Sequence, residues 1–299
     1  MAFCQPPSPL QPGDLLRVVA PSGPLRDLDV FWQGVAIWQD RGYQVEIPLG
    51  LDACWGYLAG DDDQRRHQLT LALEDPDCRG ILCARGGYGS MRLLESWTWP
   101  ETDPRWFIGF SDITALLWSL SQHHIAGVHG PLLTTLAAEP TWSRDRLFAW
   151  VEHHKLTPLQ GKGWGQGQAT GRLLPGNLAV ATSLLHTPLQ PDLDGVILAL
   201  EDVGEAPYRI DRLLTAWRLS GTLDRLGGIA LGRFSQCQTP SHTPSLTCEM
   251  VLADRLGNLG IPVVSDLPFG HDGPNAALPV GVLAHLDAQT GCLSFPSVI

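Results

Sequence analysis

The sequence predicts an α/β fold, with a parallel sheet in its first 135 residues and a second half that is α+β or barrel-like. Two observations carry that prediction. Short apolar runs alternate with segments of helical period through the first half, and such alternation builds a parallel sheet with helices on both faces. The pattern then breaks between Glu139 and Gly171, and the residues beyond are richer in strand-like runs. A chain of 299 residues is long enough for two domains of ordinary size.

Leu15–Ala20 (LLRVVA) reads as a strand closed by Pro21-Ser22-Gly23. Leu28, Phe31, Trp32, Val35 and Trp38 recur at helical spacing and predict an amphipathic helix. A strand is expected around Val45–Ile47. Asp61–Asp63 open the next helix, where acidic side chains suit the positive end of the helix dipole. Gly80–Ala84, Phe107–Phe110 and Ala126–Val128 are further short strands, and a helix fits Trp142–His154. Gly161–Gln168 (GKGWGQGQ) is too glycine-rich for an element interior and reads as a linker. The predicted organisation is a first domain over 1–140, a linker over 141–170 and a second domain over 171–299. In that second domain a helix is expected over Asn177–His186, a buried strand over Gly195–Leu200 and a helix over Ile210–Leu219. Strands are expected over Gly228–Phe234, Pro262–Leu267 and Val280–Leu286, with Ala288-Gln-Thr-Gly as a hairpin turn.

Composition narrows the function. With 20 Lys+Arg against 31 Asp+Glu the net charge is −11, which disfavours nucleic acid and anionic membranes as partners. No apolar run reaches the ~18 residues of a membrane span. The start lacks the basic flank and apolar stretch of a secretory signal. Seven cysteines without a C-x-x-C pair suit reduced thiols in a cytoplasmic protein. His123-His124 and His153-His154 are adjacent pairs that diverge on a helix, so no metal site and no cofactor are expected.

Four segments have the letters of a site. In Trp106-Phe-Ile-Gly-Phe-Ser111-Asp-Ile a strand runs into one serine and a helix begins at once. Such a serine is exposed on a tight turn, with the backbone N–H of Asp112 available to an oxyanion. Ile113 occupies the second glycine position of the G-x-S-x-G elbow, and Ser-Asp also suits an ordinary helix cap. Arg85-Gly86-Gly87-Tyr88-Gly89 is a turn whose glycines allow close backbone approach and N–H donation, though a plain turn has the same letters. The run Leu198-Ala-Leu ends in Glu201-Asp202, carboxylates at a strand's C-terminal end, where ligands bind in α/β sheets. His271 stands in a glycine-flanked turn, Gly270-His-Asp-Gly273.

One serine, one glutamate and one histidine on three turns match the roles of an acyl-transfer triad. The chain resembles the LD-carboxypeptidase (muramoyl-tetrapeptide carboxypeptidase) family of serine peptidases. The resemblance rests on GDLLRVVAPSG at 13–23, YLAGDDDQR at 57–65, ARGGYG at 84–89 and GFSD at 109–112. It continues through GNL at 176–178, LEDVGEAPYRIDR at 200–212 and GHxxxNxxLPxG at 270–281. It implies a Rossmann-like N-terminal domain carrying the nucleophile Ser111. It also implies a smaller β-rich, swivelling barrel-like C-terminal domain carrying Glu201 and His271, with the active site where the domains meet. Gly87 and Asp112 would supply the oxyanion hole, and Gly86 and Arg85 would bind substrate, with Arg233 as a second cation for its terminal carboxylate. The implied reaction releases D-Ala from murein tetrapeptides, free or in muramoyl- or UDP-linked form, in a cytoplasmic homodimer engaged in cell-wall recycling. Two alternatives stand beside it: a microcin C immunity-like peptidase that cleaves peptidyl-nucleotide conjugates, and a catalytically silent two-domain binding protein.

Overall fold

The computed structural model describes residues 3–239 and 244–296. They form two compact units: the chain up to Lys155 together with Ala276–Val280, and Leu156–Asn275 together with the chain from Gly281 onward.

The first unit contains β1 (Leu15–Val19), α1 (Leu28–Asp40), β2 (Gln44–Glu46), α2 (Asp62–Glu74), β3 (Cys78–Cys83) and α3 (Ser90–Leu93). After these come β4 (Trp106–Gly109), α4 (Thr114–Ser121), β5 (Val128–His129), α5 (Leu133–Leu136) and α6 (Thr141–His153). The five strands pair in parallel in the order β5-β4-β3-β1-β2. The chain steps outward from β1 to β2 and then returns to β3, so strand order reverses between β1 and β3. The crevice beyond the C-terminal ends at such a reversal is where doubly wound sheets bind ligands. Here it receives the loops that follow Val19 and Cys83.

Local chemistry explains the helix starts. The Asp27 side chain accepts from the N–H groups of Asp29 and Val30 to begin α1, and Asp61 and Gln64 form a reciprocal capping box at α2. Helix α1 buries Phe31, Val35 and Trp38, whereas Leu28 and Trp32 of the predicted apolar stripe are exposed. At Gly34 a Cβ would stand 2.0 Å from the Leu133 carbonyl oxygen, so only glycine lets α1 and α5 approach this closely.

The second unit holds β6 (Leu159–Gln160), β7 (Lys162–Gly163), β8 (Gln168–Asn177), α7 (Leu178–Leu184) and β9 (Ile197–Val203). It continues with α8 (Pro207–Leu219), β10 (Gly228–Ser235), α9 (Cys248–Leu256) and β11 (Val263–Ser265). The chain then contributes β12 (Leu278–Pro279) to the first sheet, antiparallel to β5, before β13 (Leu283–Asp287) and β14 (Cys292–Ser294) complete the second. The strand expected over 280–286 begins only at Leu283, because residues 280–282 carry the chain from one sheet to the other, with Gly281 at φ 80°. The second sheet has the order β6-β14-β13-β8-β9-β10-β11-β7, with β8 to β11 parallel. Its two edge strands, β6 and β7, are separated in sequence by Gly161 alone, so the sheet curls into a nearly closed barrel.

That closure accounts for the glycines read as a linker. A Cβ at Gly161 would lie 2.2 Å from the Ser265 carbonyl oxygen, and one at Gly163 would lie 1.6 Å from that of Ala288. Backbones touch at Gly161 and Gly163, whereas Gly165 and Gly167 turn the chain at φ 111° and 113°. Residues 141–170 therefore comprise a helix of the first unit, Thr141–His153, and sheet-forming strands of the second. Among the described residues no helix is long and apolar enough to cross a membrane, and no cluster of His, Cys, Asp and Glu is arranged to hold a metal.

Candidate active site

Strand β4 ends at Gly109, and Ser111 follows with φ 64°. A left-handed backbone at a residue other than glycine is strained and persists only where its surroundings impose it. They do so here: a Cβ at Gly109 would meet Ile113 side-chain carbons at 3.0 Å and Cys83 Cβ at 3.1 Å. Gly109 thus makes the room that lets the chain reverse, and Ile113 fills it. A second glycine is not needed for the elbow. The N-cap positions of the single turn Ser111–Ile113 and of α4 are Phe110 and Ile113, so Ser111 lies inside the turn and not at a cap position.

The turn after β3 lies against this serine. A Cβ placed on Gly86 would come within 3.2 Å of Ser111 Oγ and 3.1 Å of Ser111 Cβ, so bare backbone faces the hydroxyl. Gly86 is buried, and Gly87 beside it is exposed at φ 116°. The Gly86 carbonyl accepts from the N–H of Gly23, joining this turn to the loop after β1. Arg85 is half-buried, and its Nη1 donates to the Pro24 carbonyl at 2.9 Å. Asp112 is buried, its carboxylate accepting from Ser22 and from the backbone of Ser90.

The second unit brings Glu201 and His271 together. Glu201 is fully buried near the end of β9, and its Oε2 lies 2.6 Å from His271 Nδ1. This contact places the Nδ1 proton toward the carboxylate and leaves Nε2 as the ring's basic nitrogen. Burial lowers the imidazole pKa, but the hydrogen bond and charge of Glu201, helped by Asp202 and Asp272, outweigh it and hold the pKa above the ordinary value. Register sets up the carboxylate: Asn177 at the end of β8 pairs with Glu201, and its Nδ2 donates to Glu201 Oε1 at 3.3 Å and to Asp202 Oδ1 at 2.9 Å. Asp202 also accepts from the N–H groups of Ala179 and Val203. Burial nevertheless pushes its pKa up to about 6, with Glu201 adding to the rise.

His271 sits in a turn that is tied down on several sides. Gly270, at φ 108°, has no space for a Cβ, which would stand 2.9 Å from that of Glu201. Its N–H donates to Asn275 Oδ1 at 3.0 Å. Arg233 donates Nε to the His271 carbonyl at 3.0 Å and Nη2 to the carbonyls of Gly270 and Pro274. Ser235 Oγ donates to the His271 carbonyl at 2.7 Å. Arg233, considered from sequence as a carboxylate clamp, is thereby engaged in holding the histidine turn.

The sequence-predicted residues thus fall into two groups. Ser111, Asp112, Gly86, Gly87 and Arg85 cluster in the first unit, and Glu201 and His271 pair in the second. Sequence reasoning did not single out Asn177, Ser22, Ser90 or Arg65 as site residues, and it noted Asp202 only as the acid beside Glu201. All but Ser90 lie inside the motifs quoted above, which was the available signal.

Comparison with known proteins places the chain. The LD-carboxypeptidase N-terminal domain profile matches residues 16–130, and the C-terminal domain profile of the same family matches 170–286. A putative carboxypeptidase of Synechocystis is 57% identical, covering 97% of this chain and 96% of its own length. The murein tetrapeptide carboxypeptidase of Pseudomonas aeruginosa is 33% identical over 83% of this chain and 85% of its own. A microcin C7 self-immunity protein of Escherichia coli is 25% identical over 94% and 92% respectively. The crystal structure of muramoyltetrapeptide carboxypeptidase from Oxalobacter formigenes superposes with a TM-score of 0.84 at 27% identity, covering 94% of this chain and 99% of the other. Its two-part α/β architecture is the one described above. The chain belongs to the LD-carboxypeptidase family.

Proposed function

We propose that this chain is a serine carboxypeptidase that hydrolyses the L,D-amide bond releasing terminal D-Ala from murein tetrapeptides, through an acyl-enzyme. The observation that carries the proposal is Ser111, held left-handed at the end of a strand with Gly86 backbone against its hydroxyl. The substrate class is the one named for the Pseudomonas relative. We extend the proposal to muramoyl- and UDP-linked forms of the tetrapeptide and to a cytoplasmic homodimer, as the family resemblance implies.

In this mechanism Ser111 Oγ attacks the scissile carbonyl and gives its proton to Nε2 of His271. Glu201 keeps the Nδ1 proton in place and stabilises the imidazolium. The backbone N–H groups of Gly87 and Asp112 receive the oxyanion. Collapse of the tetrahedral intermediate breaks the C–N bond, the imidazolium protonates the departing amine, and D-Ala leaves. Water then attacks the ester by the same route, and the Ser111 hydroxyl is restored.

The substrate's terminal carboxylate requires a cation, which an acidic protein must supply locally. Arg85 fits that role. Burial and the like charge of Arg26 lower its pKa, and among the described residues no carboxylate pairs with either arginine. Arg85→Ala should raise KM by about 10- to 100-fold, the worth of one charged hydrogen-bonded contact, with little change in kcat. Steady-state kinetics on free tetrapeptide check this, and an unchanged KM removes Arg85 from the site.

The deciding experiment is mass spectrometry of murein tetrapeptide incubated with the wild-type protein and with Ser111→Ala. Loss of one alanine with the wild type alone supports the proposal. An intact tetrapeptide alongside a cleaved peptidyl-nucleotide conjugate would instead assign the chemistry of the microcin relative. If both survive, the chain is a binding protein.

A further inference from the structure

The side chain of Asp112 has no part in the mechanism above, which uses only its backbone N–H. It is nonetheless almost fully buried, at 4% exposure, one residue after the nucleophile. Removing a carboxylate from water is unfavourable unless fixed donors replace the lost solvation. Two such donors converge on a single oxygen. Ser22 Oγ donates to Asp112 Oδ2 at 2.5 Å and the backbone N–H of Ser90 donates to it at 2.8 Å. In return, Ser90 Oγ donates to the Asp112 carbonyl at 2.5 Å. Both serines are wholly buried.

These bonds join three segments that are distant in sequence. Ser22 belongs to the loop after β1, Ser90 ends the glycine turn after β3, and Asp112 belongs to the serine turn after β4. A second bracket runs parallel to the first. Arg65, at 1% exposure, donates from Nη1 to the carbonyls of Pro21 and Gly89, the neighbours of Ser22 and Ser90. Its Nη2 is held by Asp62. An anion thus grips the donors and a cation grips the carbonyls of the same two loops.

We propose that the Asp112 carboxylate, through Ser22 and Ser90, is a positioning device that fixes the spacing between the two backbone segments carrying the oxyanion donors. The inference rests on the proposed role of Ser111. It goes further by assigning the buried polar cluster to preorganisation of the donors. An oxyanion hole is effective only when its N–H groups are already aimed where charge will develop. The Asp112 N–H is placed by the serine turn, and those of Gly86 and Gly87 by the glycine turn. The carboxylate couples the two by accepting from Ser90, three residues beyond Gly87.

The test compares Asp112→Ala with Asp112→Asn. Alanine keeps the backbone N–H and removes the brace, whereas asparagine keeps one oxygen able to accept from both Ser22 and Ser90. We expect Asp112→Ala to lower kcat about 10²- to 10³-fold, as loss of one oxyanion donor does, with KM within threefold. Asp112→Asn should recover to within about tenfold of wild type. Reaction with a serine-directed phosphonate should slow in parallel with kcat. Binding of intact tetrapeptide in a Ser111→Ala background should be unaffected, because ground-state affinity does not depend on the oxyanion donors. A merely structural role would move melting temperature and substrate affinity together. If Asp112→Ala does not fold, Ser22→Ala replaces it, removing the one side-chain donor to the carboxylate, and is expected to reduce kcat by about tenfold. Equal kcat and phosphonate rates in wild type and the brace variants overturn the inference. A wild type that neither hydrolyses tetrapeptide nor labels with phosphonate overturns instead the assignment of Ser111.

Discussion

Ser111→Ala and His271→Ala should each lower the kcat for D-Ala release by about a million-fold, and the double variant should be no slower than either single one. Groups that act as one catalytic unit lose nearly everything with the first member, so further losses do not multiply. The single-variant effects follow from separate causes. Without Ser111 Oγ no acyl-enzyme forms, and only water positioned by the remaining donors can react. Without His271 the hydroxyl keeps its proton, and the leaving amine has no acid to protonate it. The donors near Gly86 and Asp112 survive in both variants, which leaves a common residual rate. Single-turnover assays of D-Ala formation measure all three proteins. A His271→Ala variant within tenfold of wild type would exclude the histidine as base, even though it is hydrogen-bonded to Glu201.

Much of this is legible in the sequence because it is local. A strand running into Ser111, another ending in Glu201 and a histidine between glycines are visible as letters, and strands β1 to β5 follow from apolar runs punctuated by turns. The ambiguity at Ser111 is also local. Ser-Asp at a helix start has the same letters as a cap and as an elbow, and only the backbone angle of 64° separates them.

What stays hidden depends on register or on close approach. Asn177 and Glu201 are 24 residues apart and meet only because β8 and β9 pair at that step. Asp202 next to Glu201 gives no sign in sequence that one carboxylate orients the histidine while the other is buried among N–H donors. The glycines at 161 and 163 read as a linker for a physical reason. Flexibility and backbone contact both select glycine, and no local pattern distinguishes them. Arg233 stands among the substrate-binding candidates because its charge is visible in sequence. The three carbonyls that occupy it come from a turn some 40 residues away.

Glu201→Gln should cost about 10⁴-fold in kcat, the loss typical when a triad carboxylate becomes an amide. The hydrogen bonds explain why so conservative a change is severe. Asn177 Nδ2 donates to Glu201 Oε1, so in the variant the new amide oxygen turns toward Asn177. The amide NH₂ group then faces His271 Nδ1, which must accept rather than donate. The ring proton moves to Nε2, and the nitrogen that should take the Ser111 proton no longer has a lone pair. A second effect acts on the titration. In the wild type the hydrogen bond and charge of Glu201 overcome burial and raise the imidazole pKa, so the acid limb of kcat/KM should lie above the ordinary histidine value. In the Glu201→Gln protein burial dominates, and that limb should move to lower pH while the plateau falls. Nitrogen-15 spectra of the ring distinguish the tautomers directly, and pH–rate profiles record the limb. A variant with normal tautomer, unshifted limb and less than tenfold loss would mean that Glu201 only packs against the histidine.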